Sequence, residues 1–159
     1  MTIKESDPQT LFRFLNEVGI VAQLSGNLFE KVMPQGMTLA QFVVLNHLTR
    51  LGDGRTPLSI AQAMQVTKGA MTNTLGHLEG KGFITIAPDL YDRRSKRVSL
   101  TQQGRAARDA AIDSVGPELA GIAGEIALAD IADALPVLET LRKVLDARRN
   151  PRSSGVLKP

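Results

Sequence analysis

Apolar residues recur at helical spacing from the start of the chain. After Asp7-Pro8, an N-cap pattern with proline at the first helical position, come Leu11, Phe14/Leu15, Val18, Val21/Ala22, Leu24, Leu28/Phe29 and Val32. The spacing predicts one long helix, ended by Pro34-Gln35-Gly36. Thr38 and Gln41 have capping-box spacing and predict a second helix carrying Leu39, Phe42, Val43, Asn46 and Leu48, stopped by Gly52-Asp53-Gly54. Ser59 and Gln62 repeat the capping-box spacing and predict a short helix to about Met64. Thr67 is the expected N-cap of a fourth helix, with Ala70, Met71, Leu75 and Leu78 on one stripe and Gly80-Lys81-Gly82 as its C-terminal stop.

The period then changes. Phe83–Ala87 is rich in strand formers, Lys96–Leu100 alternates with Val98 and Leu100 on one face, and the polar stretch Pro88–Arg94 between them reads as a turn. Thr101 caps a long helix to about Glu125, and a last helix runs from about Ala129 to Arg149 with Ile131, Leu135, Leu138, Leu141 and Leu145 apolar. Pro117 and Pro136 fall inside these two helices and are expected to kink or interrupt them. Residues 150–159 read as a disordered tail. The expected class is mainly α with a small β-hairpin (α+β), in the order α-α-α-α-β-β-α-α, with no internal repeat or linker.

A chain of 159 residues is about one domain, so residues 1–149 are read as a single subunit. The absence of cysteine excludes disulfides, thiolate zinc sites, a cysteine nucleophile and a thiol redox sensor. Acids and a proline occupy the N-terminus where a secretory leader needs an apolar run, and no stretch approaches the ~18 apolar residues of a membrane helix. A cytoplasmic protein with no membrane partner is expected. Gly76-xxx-Gly80-Lys81-Gly82 lacks the spacing and the Ser/Thr of a phosphate loop, and His77-x-Glu79 lacks the cysteine pair of a deaminase. His47 and His77 lie on separate expected helices, so no metal site is expected. No nucleophile elbow and no carboxylate pair emerge. The expectation is no catalytic residue, no cofactor and no enzyme.

Charge alters the picture only once it is located. The net +3 is weak, yet residues 51–105 hold eight basic against four acidic side chains, while residues 106–146 hold three against eight. Most of the excess is one cluster, Arg93, Arg94, Lys96 and Arg97, between the two strand-like segments. A short charge run is ordinarily a solvated turn. Here it follows a short helix, a turn and a second helix from Ser59 to about Gly80, the size of a helix-turn-helix. In that motif the second helix lies in the major groove. The polar residues at its start, Thr67, Lys68, Gly69, Thr72, Asn73, Thr74 and His77, are small enough to approach DNA closely. Asn73 suits adenine, Thr72 a base edge or phosphate, and Lys68 a phosphate. A basic hairpin beside such a helix is a wing, whose arginine can enter the electronegative minor groove. Asp92 next to Arg93 and Arg94 can orient a guanidinium by a bidentate pair.

The stretch Asp89-Leu-Tyr-Asp92-Arg93-Arg94-Ser-Lys96-Arg97-Val98-Ser-Leu100-Thr101-Gln-Gln-Gly104 closely resembles the wing-to-helix signature of MarR-type transcriptional regulators. Leu58-Ser-Ile-Ala, Thr67-Lys-Gly-Ala-Met-Thr-Asn-Thr-Leu and Leu78-Glu-Gly-Lys-Gly-Phe-Ile also fit that family's helix-turn-helix. The resemblance implies a winged helix-turn-helix DNA-binding lobe (38–100) on a helical dimerisation platform (8–35 and 101–149). It implies a homodimer that binds double-stranded DNA at a pseudo-palindromic operator, represses, and is released by a small, often aromatic, effector whose binding residues are unknown. It implies that Asp92 orients Arg94, that Arg94 reaches the minor groove, and that Arg93, Lys96 and Arg97 lie near the DNA backbone or brace the wing. Thr67, Lys68, Gly69, Thr72, Asn73 and His77 then face the major groove. The alternative is a winged-helix protein-interaction module without DNA binding. The cationic wing argues against it, since a protein-binding wing need not be basic.

Overall fold

The computed structural model describes residues 7–149. The tail expected at 150–159 and the first six residues lie outside the described residues. Among the described residues, six helices and a hairpin follow in the expected order: α1 Pro8–Val32, α2 Leu39–Leu51, α3 Pro57–Met64, α4 Lys68–Gly80, β1 Ile84–Pro88, β2 Lys96–Leu100, α5 Gln102–Ala123 and α6 Leu128–Arg149. The chain divides into two compact units, one ending at Gly116 and one beginning at Pro117. No helix among the described residues is long and apolar enough to cross a membrane.

Local chemistry starts the helices. Asp7 Oδ1 accepts from Gln9 N at 3.0 Å, Thr38 Oγ1 from Gln41 N at 3.2 Å and Thr67 Oγ1 from Ala70 N at 3.1 Å. Each satisfies a first-turn N–H that has no helical partner. The Thr38–Gln41 capping box is not completed. Gln41 does not reach back to Thr38; its Oε1 accepts from Lys81 Nζ at 2.8 Å, and the Leu39 N–H goes to Glu30 Oε2 at 2.9 Å. The third helix starts two residues before Ser59: Thr56 is its N-cap, accepting from Ser59 N at 3.1 Å, and Pro57 takes the first position. Thr-Pro outcompetes Ser59 because proline is preorganised for that position and has no N–H to satisfy.

The first strand begins at Ile84, not Phe83. Phe83 N donates to Leu78 O at 3.0 Å and Gly82 N to Glu79 O at 2.9 Å, with Gly82 at φ +72°. This paired closure of α4 takes Phe83 into the helix cap. β1 and β2 pair antiparallel, with Ile84 opposite Leu100 and Ile86 opposite Val98. The other side of β2 meets the chain before α3: Val98 N donates to Arg55 O at 2.8 Å, and Gly54 N donates to Val98 O at 3.0 Å. Asp53 Oδ1 accepts from Leu100 N at 2.8 Å.

The core of this lobe joins α2, α3, α4 and the hairpin. Leu45, Leu48, Ile60, Leu75, Leu78, Ile84 and Val98 are fully buried, with Val44, Ala61, Met71 and Leu100 around them. Each such aliphatic side chain contributes about 1.5–3 kcal/mol through burial. On α4 the buried stripe is Met71, Leu75 and Leu78; Ala70, expected on that stripe, is exposed. On α2 the buried face is Val44, Leu45 and Leu48, and Val43 is exposed. Neither internal proline ends its helix, since α5 continues past Pro117 and α6 past Pro136. Proline removes one helical hydrogen bond, and the turns on either side keep theirs. Helices α1 and α6 bury no residue at all within the chain.

Candidate nucleic-acid interface

The start of α5 anchors the base of the hairpin. Thr101 Oγ1 donates to Gly82 O at 2.7 Å and accepts from Gly104 N at 3.0 Å, while Thr101 N donates to Phe83 O at 3.1 Å. A Cβ at Gly104 would lie 2.0 Å from Phe83 O and 2.9 Å from Leu100 Cδ1. Only glycine lets the helix approach the strand this closely.

The wing turn is held by Asp89. Its buried carboxylate is ion-paired with Arg97 Nε, and its Oδ1 accepts from Tyr91 N at 2.8 Å and Asp92 N at 2.9 Å. Arg97 also donates to Gly54 O at 2.7 Å. The Arg97 hydrogen bond, followed by those from the Asp92 and Tyr91 amides, lowers the Asp89 pKa to about 2. Asp89 opens the wing signature in the sequence, but its role as the brace shows only in the structure, where the strands bring Arg97 to it. Asp92 does not pair with the Arg94 guanidinium, which corrects the expected orientation. Its Oδ1 accepts from the Arg94 backbone N at 3.0 Å, and its carbonyl accepts from Ser95 N at 2.8 Å. An aspartate bonding the backbone two residues on is the favoured local geometry, and it leaves the guanidinium untouched.

The sign of this electrostatic brace is testable. The folded pKa of Asp89 lies below the ordinary value of about 3.9, so its contribution is present above that value and is lost as pH falls through about 2. The amide signals of Tyr91 and Asp92 should therefore hold constant from neutral pH to about pH 4 and then move together with a midpoint near 2. A common midpoint near 3.9 would show that Arg97 does not hold the turn.

The α4 candidates Thr67, Lys68, Gly69, Thr72, Asn73 and His77 are all exposed, as are Asp92, Arg93, Arg94, Lys96 and Arg97 on the wing. Lys68 and Thr72 share one cleft with Asp92, Arg94 and Lys96, about 630 Å³ in volume, with Leu75 and Ile86 also in its lining. Recognition-helix and wing candidates thus meet in one concavity of one lobe. Among the described residues, the side chains of Lys68, Asn73, Arg93, Arg94 and Lys96 have no hydrogen-bond or ion-pair partner. Thr72 uses its hydroxyl proton on Lys68 O at 2.8 Å, so toward a ligand it offers an acceptor and a methyl. Nothing lies within 4 Å of a Cβ built at Gly69 or Gly76, so internal packing does not require either glycine. Arg97 faces the brace more than the cleft.

The other polar residues near α2 are engaged elsewhere. Arg105 is paired with Asp53 at 3.5 Å, and Arg108 donates to Asn46 Oδ1 at 2.9 Å. His47 is buried; burial, then the charges of Arg50 and Arg55, lower its pKa. No group of His, Asp and Glu among the described residues could hold a metal ion.

The sequence profile of the MarR family matches residues 35–95, which spans the helix-turn-helix and most of the wing. The transcriptional activatory protein BadR of Rhodopseudomonas palustris is 31% identical over 119 residues, 72% of this chain. The match spans 66% of that protein's length, just short of two thirds. A mutant MarR from E. coli, crystallised with operator DNA, is similar at a TM-score of 0.65 and 25% identity, over 86% of this chain and 99% of that one. BpsR of Bordetella bronchiseptica, whose DNA binding is regulated by 6-hydroxynicotinic acid, matches in fold at a TM-score of 0.66 and 21% identity, over 82% of this chain and 98% of that one. With the hairpin against α4, the matching profile and these relatives, the chain belongs to the MarR family of winged-helix transcriptional regulators.

Proposed function

We propose that the protein is a homodimeric, sequence-specific DNA-binding repressor of a pseudo-palindromic operator, released by a small effector. The observation that carries DNA binding is the shared cleft, where unpaired cations of the wing and the polar start of α4 face one space. Phosphates would engage Lys68, Arg93 and Lys96, base edges Thr72, Asn73 and His77, and the minor groove Arg94. Thr67 and Gly69 would allow the helix start to approach the backbone, where free N–H groups favour phosphate. Arg97 and Asp92 would act by holding the wing in shape.

Dimerisation is supported by apolar surface that the described residues leave uncovered. In α1, Phe12, Val21 and Leu24 are 71%, 60% and 64% exposed; in α6, Leu128 and Val137 are 61% and 56% exposed. Exposed apolar surface on this scale marks a contact with another chain. We assign 8–35 and 101–149 to the dimer platform and 38–100 to the DNA-binding lobe. Repression is the simplest sign of control, because occluding a promoter needs nothing beyond binding. BadR is activatory by name, so a reporter fused to a bound promoter decides: expression should rise when the gene is deleted. Release by a small aromatic acid is supported by the fold shared with BpsR.

Selection of bound fragments from genomic DNA, followed by footprinting, tests this reading. Two-fold symmetry predicts paired half-sites centred about 10 bp apart, or a multiple of one helical turn. A lone, unrepeated footprint would overturn the dimer, and no retained DNA would favour the protein-interaction module. Sedimentation should give a dimer, and Leu24→Glu should move it toward monomer.

A further inference from the structure

At the tip of the wing, Leu90 and Tyr91 are 92% and 98% exposed, the highest values among the exposed large apolar side chains described. Their exposure is not slack in the loop. Asp89 N donates to Ser95 O at 2.9 Å and Ser95 N to Asp92 O at 2.8 Å, closing the turn across its base. The Tyr91 N–H is held by Asp89 Oδ1, as is that of Asp92. The backbone therefore presents both side chains outward from a cross-braced turn, although nothing among the described residues covers them. Tyr91 is also the chain's one tyrosine, in a sequence with few aromatic residues.

The chemistry around the pair narrows the partner. Arg93, Arg94 and Lys96 follow within the same turn and strand, while the one buried carboxylate nearby is neutralised by Arg97. A partner must accept an aliphatic side chain and a phenol while placing anions beside them. A DNA minor groove does so: its walls are deoxyribose C–H surface, its rims are phosphates, and apolar side chains can wedge against its base steps. We infer that Leu90 and Tyr91 are DNA-contacting residues of the wing, with Leu90 against the sugar wall or base step and the Tyr91 hydroxyl on a phosphate. They would make the protein prefer deformable sequence at the operator flanks, where the wing lands. This rests on the DNA-binding reading above and adds contacts that are apolar in origin.

That origin gives a distinctive readout. Charge–phosphate contacts release counterions, so losing one flattens the dependence of affinity on salt; losing an apolar contact does not. The full-length chain carrying Leu90→Ser and Tyr91→Ser together should bind a selected operator about tenfold more weakly, with the salt slope of the wild type. Selection from DNA randomised only at the flanks should show the wild-type preference lost in the double variant and kept in Tyr91→Phe, which retains the ring. Equal affinity and equal flank preference in wild type and double variant would overturn the inference and leave DNA binding standing. A weakened affinity with a flattened salt slope would also overturn it, because the loss would then be electrostatic. A wild-type protein that retains no DNA would sink the underlying reading itself. Thermal unfolding of the variants should match the wild type, since neither side chain packs against the described residues.

Discussion

Replacing Arg94 with alanine is expected to lower operator affinity by about 10–100-fold, the range for losing one specific DNA contact worth about 1–3 kcal/mol. The melting temperature should not move. Arg94 is exposed, its guanidinium has no partner among the described residues, and the turn is held through its backbone N–H by Asp92. Nothing internal is lost with the side chain. A guanidinium in the minor groove gains from the concentrated negative potential there, so the loss should be largest at operators with narrow, A·T-rich flanks. Fluorescence anisotropy on operators with and without such flanks separates this from a generic loss of charge. Unchanged affinity for Arg94→Ala would remove the wing from the interface.

Gly104→Ala should have the largest effect on the fold itself. The new methyl would sit 2.0 Å from Phe83 O, far inside van der Waals contact. That carbonyl is backbone, and it is already tied to Thr101 N at 3.1 Å, so it cannot simply rotate away. Overpacking of this kind costs typically 1–3 kcal/mol and occasionally more. We expect the upper end, roughly 3 kcal/mol, which lowers the melting temperature of a chain this size by roughly 6–12 °C. Operator binding should fall with it, because the same contact sets the base of the wing. Gly69→Ala is the control: with nothing within 4 Å of the new methyl, the fold should tolerate it. A Gly104→Ala protein that melts with the wild type would show that α5 and the hairpin can separate without cost.

Where a feature depends on neighbours in sequence, the residues disclosed it. Asp7-Pro8 and Thr67 cap their helices as their spacing predicts, and β2 occupies Lys96–Leu100 as its alternation predicts. Where two local signals compete, spacing alone does not say which one takes the backbone. Ser59 looks like a cap until Thr56-Pro57 takes the role, and Phe83 looks like the first strand residue until the closure of α4 claims its N–H. The wing signature gave the candidate DNA contacts much of their specificity, since any amphipathic helix has a polar face. Among them, Asp92 proved to hold a backbone N–H where a guanidinium was expected.

The sequence by itself determined the order of elements, the helix-turn-helix with its basic wing, and the concentration of positive charge in that lobe. Those follow from periodicity, capping chemistry and composition, which are properties of near neighbours. Only the tertiary structure decided which aspartate braces the wing, because Asp89 and Arg97 are apart in sequence and meet only when the strands pair. It alone decided that Gln41 serves Lys81 and not its own cap, and that Gly104 is required by a carbonyl from another element. It also set the apolar stripes of α1 and α6 apart from the core stripe of α4, although all three have helical spacing. Spacing says that a helix has an apolar face; only packing says whether that face is covered by its own chain or left for another.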